Sequence, residues 1–103
     1  MVHIMSRHEI SIKEHFAKLD DQEQDYDTFA YGFDFPMSTY FWQVFDAEGE
    51  LLVDEGDISP RTGGQFLQAI SSLGITHLIP EEHRFAAAMD MPIPDTPINE
   101  LHI

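Results

Sequence analysis

The chain has no cysteine, and between Leu19 and Pro60 it has no Lys, Arg or His either. The first absence excludes disulfides, thiolate metal sites and thiol nucleophiles. The second leaves twelve Asp or Glu residues in that stretch without a local counter-charge. Apolar runs long enough to cross a bilayer are also missing, and Met1 to Ile12 carries neither a basic nor an apolar signal region. A cytoplasmic protein without membrane contact is the expectation.

Bases are scarce throughout: Arg7, Lys13, Lys18, Arg61 and Arg84 oppose 19 acids, for a formal charge of −14 over 103 residues. A field of that sign repels DNA, RNA and anionic lipid surfaces, so direct nucleic-acid binding is excluded as a function class. It attracts basic proteins. Self-repulsion also opposes compaction, so added salt is expected to stabilise the fold.

What is present suffices for a core. The chain is 43% hydrophobic and 12% aromatic, above what charge-driven disorder tolerates, and its length suits one domain over residues 1–103. Residues 1–10 are expected to be loosely held. Ser11-Ile12-Lys13-Glu14 has the form of a capping box, and Ile12, Phe16 and Leu19 share a helical face; the competing reading is a strand through His8 to Ile12, where Ile10 and Ile12 alternate. From Thr28 the period becomes two. Phe29, Tyr31 and Phe33 alternate up to Pro36, Thr39–Phe45 forms a second strand apolar on both faces, and Asp46-Ala47-Glu48-Gly49 turns into a third strand, Glu50–Glu55.

Beyond the glycines at 63 and 64, Phe66, Ile70 and Leu73 define a helix over Gln65–Leu73, with Gly74 placed to cap it. Ile79-Pro80-Glu81-Glu82 opens another helix running to about Asp90. Pro92, Pro94 and Pro97 then dictate an extended tail over 91–103. The fold class that follows is a small α+β domain, a three-stranded antiparallel meander packed with two to three helices.

Catalytic motifs are weak. His77, Glu81, Glu82 and His83 form the most suggestive metal grouping, yet their spacing matches no helical His-Glu pattern. The acid pairs Asp54/Asp57 and Asp25/Asp27 do not follow a calcium-loop pattern, and Thr62-Gly63-Gly64 lacks the Lys of a phosphate loop. Neither cofactor nor enzymatic activity is therefore expected, with a small enzyme or metal-binding domain as the further alternative.

Eight aromatics within Phe29–Phe45 are too many for one covered sheet face, so the other face of the second strand is expected to take its cover from the N-terminal helix, the tail, a second copy or a different protein, with ordinary core packing as the competing reading. The reading that joins charge and rings is an interaction module for a basic partner. Its most concrete form is an inhibitor that presents carboxylates where phosphates would lie, as small anti-CRISPR and anti-restriction proteins do. An immunity or antitoxin-like protein that neutralises a basic toxin is the alternative. Candidate contact residues are Asp20, Asp21, Glu23, Asp25 and Asp27 for the field, with Tyr40 and Trp42 as anchors.

Overall fold

The computed structural model describes residues 5–18, 26–55, 61–95 and 101. Four strands, β1 (Met5–Ser11), β2 (Thr28–Asp34), β3 (Thr39–Phe45) and β4 (Leu51–Glu55), form one antiparallel sheet in the order β1-β2-β3-β4. The α+β class and the meander are as the sequence predicts, with one strand more. Met5–Ser11 supplies that strand at the sheet edge, where residues 1–10 were expected to be loosely held.

Strand and helix are consecutive at the N-terminus and not alternatives. Ser11 pairs with Thr28 as the last residue of β1, and helix α1 (Lys13–Lys18) begins two residues later. Ile12 makes the junction: its amide donates to the Asp27 carbonyl at 2.8 Å and its carbonyl accepts from the Phe16 amide. Its side chain is fully buried.

Register assigns the two sheet faces. His8, Tyr31 and Trp42 lie in line across three strands, as do Ile10, Phe29 and Val44, and Ser6, Phe33 and Tyr40. These residues form the covered face. Helix α2 (Gly63–Leu73) lays Phe66 onto it, with ring centroids 5.4 to 6.5 Å from Phe29, Tyr31, Tyr40 and Trp42. Alternation places Arg7, Glu9, Ala30, Phe41, Gln43 and Phe45 on the opposite face.

Both ends of α2 are specified locally. The Thr62 hydroxyl accepts from the Gln65 amide while the Gln65 side chain accepts from the Thr62 amide, which satisfies two otherwise orphaned donors. Gly74 closes the helix at φ 74°, the left-handed conformation that glycine adopts without strain.

After a 3₁₀ turn (Thr76–Leu78), helix α3 (Glu81–Ala88) packs against α2. The approach is close: a Cβ on Gly63 would lie 1.9 Å from the Ala87 carbonyl oxygen. Pro80 sits at the cap of α3 and not at its first turn. The tail beyond α3 then crosses the covered face. The Tyr40 hydroxyl on β3 donates to the Met91 carbonyl, Ile93 is fully buried, and His8 Nε2 on β1 donates to the Pro94 carbonyl at 2.8 Å. Among the described residues no helix is long and apolar enough to cross a membrane.

Candidate interaction surface

At one end of the sheet the strand termini gather carboxylates. The β3–β4 turn is organised by Asp46, whose Oδ1 accepts from the amides of Glu48 and Glu50 at 2.9 and 2.8 Å, with Gly49 at φ 82°. Asp46 is thereby buried and structural. Glu48 and Glu50, carried on the same turn, project into solvent. Asp27 joins this end because its amide donates to the Phe45 carbonyl, and its Oδ2 accepts from the Thr28 hydroxyl. Between Glu9, Asp27, Phe45 and Asp46 lies a groove of about 330 Å³. Arg7 borders it, held to Gln43 Oε1 at 2.9 Å and 3.9 Å from Glu9.

The residues expected to make contact are distributed unevenly. Asp20, Asp21, Glu23 and Asp25 lie outside the described residues, and Asp27 is half-buried at the acidic end. Tyr40 and Trp42 are only 1% and 7% exposed, on the covered face. Burial, aided by the Asp90 carboxylate, pushes the Tyr40 hydroxyl pKa up to about 12. Both rings pack against Phe66, so either could anchor a partner only by leaving the core.

The suggestive grouping around His77 and His83 is split by the fold. His77 is exposed beside His15, with ring centroids 5.3 Å apart. His83 is fully buried, sharing a 2.6 Å hydrogen bond between its Nδ1 and the Tyr31 hydroxyl, and its ring centroid lies 4.4 Å from that of His8. Burial first, then the neighbouring His8, lowers the His83 pKa to about 4, with Glu82 opposing. Burial likewise raises the Tyr31 hydroxyl above the ordinary tyrosine range. At neutral pH the Tyr31 hydroxyl and the His83 imidazole are uncharged, and their hydrogen bond ties β2 to α3.

Among the described residues, large exposed apolar side chains fall in three places: Phe35 and Met37 at the β2–β3 turn, Leu51 and Leu52 on β4, and Phe85, Met89 and Met91 along and just after α3. The last group was absent from the sequence-based candidates. Its signal was present, since Phe85 and Met89 are four residues apart on the face opposite His83 and Ala87. Protein-family models, curated proteins and solved structures yielded no match to this chain.

Proposed function

We propose that this protein is an interaction module whose acidic surface engages a basic protein, in its most concrete form an inhibitor that occupies a nucleic-acid-binding groove. The observation that carries the reading is the charge distribution: twelve acids and no base between Leu19 and Pro60. Its geometric support is the gathering of Glu9, Asp27, Glu48 and Glu50 at one end of the sheet. Carboxylates presented from strand ends and turns accelerate encounter with a cationic surface and disfavour anionic competitors.

The test replaces Asp20, Asp21, Glu23, Asp25 and Asp27 with Asn or Gln and compares partners captured by the wild-type and neutralised chains. The expected result is a strongly basic partner whose capture weakens with added salt and is largely lost in the variant. Capture of a nucleoprotein effector supports the inhibitor form; a single cationic enzyme supports the immunity form. Undiminished binding by the neutralised chain would sink the reading.

A further inference from the structure

The outer face of α3 presents large apolar side chains to water on a rigid support. Phe85 is 64% exposed, Met89 58% and Met91 51%. Leaving rings and thioethers in solvent forgoes part of the stabilisation that full burial would give. Helical geometry puts Phe85 and Met89 in one stripe, and the Met91 amide, donating to the Ala86 carbonyl at 2.8 Å, keeps that residue against the last turn. The end of the helix is clamped from behind: Asp90 Oδ1 accepts from the Gly63 amide at 2.9 Å, and α2 abuts the Ala87 carbonyl. A partner meeting this surface need not order it first, which removes one cost of association.

Charge selects the occupant. Glu81 and Glu82 flank Phe85 at the start of the helix, and the three residues line a shallow groove of about 370 Å³. The positive charge on the helix, Arg84, is drawn to the other flank, where its Nε donates to the Ile79 carbonyl at 2.9 Å. A second copy of a chain carrying −14, or an anionic membrane, meets repulsion at this face. A segment with an apolar anchor flanked by Lys or Arg meets the reverse: its anchor covers Phe85 and Met89 while its cations reach Glu81 and Glu82. Flexible methionines beside a ring suit such a contact, because thioethers adapt to the shape laid on them.

We infer that the Phe85–Met89–Met91 face of α3 is the docking site for a cationic, amphipathic segment of the basic partner. The inference rests on the interaction-module reading and adds the place and form of the contact.

The probe is an amphipathic helical peptide of Leu and Lys, compared at physiological ionic strength with a Lys/Ser peptide of equal charge. Amide chemical-shift mapping should place the Leu/Lys footprint on Glu82 to Met91. The double variant Phe85→Ser with Met89→Ser should weaken binding by about tenfold or more, as expected for loss of a central apolar anchor. Leu52→Ser, which alters a different exposed apolar site, should not. Thermal melts of all three proteins serve as the check on folding. A footprint elsewhere, or undiminished affinity in the double variant, overturns the docking site while leaving the acidic module intact. If neither cationic peptide binds, the module reading fails together with it. Self-association seen by light scattering and abolished by Phe85→Ser would assign the face to a second copy, and binding to phosphatidylglycerol vesicles would assign it to a membrane; either overturns the inference.

Discussion

The two longer helices carry one phenylalanine each, and the surroundings of those rings are opposite. On α2, Phe66 lies on the sheet among Phe29, Tyr31, Tyr40 and Trp42. On α3, Phe85 faces solvent, and the side of the helix turned inward consists of His83, Ala86 and Ala87. Helix α3 is thus built with small and polar residues inside and large apolar ones outside. Alanine permits the close approach to Gly63, and His83 supplies the bond to Tyr31. The lesson is that ring content does not locate the exposed apolar surface in this chain. The dense aromatic cluster of β2 and β3 is largely core, while a single ring among alanines and acids is on display.

The sharpest way to break this comparison is truncation of the buried ring. Phe66→Ala should cost about 3–5 kcal/mol in urea denaturation, whereas Phe85→Ala, at an exposed site, should stay within about 0.5 kcal/mol. Comparable losses at both positions would refute the contrast. Next in size is the acid response of the polar bridge beneath α3. The folded pKa of His83 is about 4, below the unfolded value of 6.5, so its contribution to stability is complete above pH 6.5. It falls as the unfolded chain takes up the proton first, and is lost once the pH passes below the folded value. At 1.36 kcal/mol per unit, the loss is about 3 kcal/mol. Comparing wild type with His83→Asn between pH 7 and pH 4 isolates it, because the carboxylates titrate in both; parallel curves would remove His83 as the cause. The smallest effect concerns only α2: Thr62→Ala, which deletes the hydroxyl that accepts from Gln65, should cost about 1 kcal/mol by the same denaturation assay.

Much of the fold was legible because local chemistry and tertiary packing agree there. Thr39–Phe45 is a strand with the bounds that the sequence predicts, Gly49 and Gly74 close their turn and helix in the left-handed conformation, and the apolar stripe of α2 faces the sheet. The first strand was harder to read. Its inward positions are Ser6, His8 and Ile10, two of them polar, so the period-two pattern is faint until Ser6 and His8 are seen paired with Phe33 and Tyr31. Hydrogen bonds to distant parts of the chain satisfy these residues: Ser6 Oγ accepts from the Phe33 amide, and His8 donates to the Pro94 carbonyl. The candidate surface was legible only as charge. Tyr40 and Trp42 stand on a strand that is aromatic on both faces, and no periodicity states which face a helix will cover. Phe85 and Met89 were passed over because an exposed stripe and a buried one have the same spacing; only the position of His83 against Tyr31 separates them.

The tail that crosses from Tyr40 to His8 has a consequence for biosynthesis. All four strands precede residue 56, yet the residues that cover their aromatic face, from Phe66 to Ile93, leave the ribosome later. Until Met91 and Pro94 reach their hydroxyl and imidazole partners, a nascent sheet holds Phe29, Tyr31 and Trp42 uncovered, and chain growth of roughly 5–20 residues per second makes that interval seconds long. The strong negative charge between Leu19 and Pro60 opposes contact between unfinished chains of this kind over the same interval.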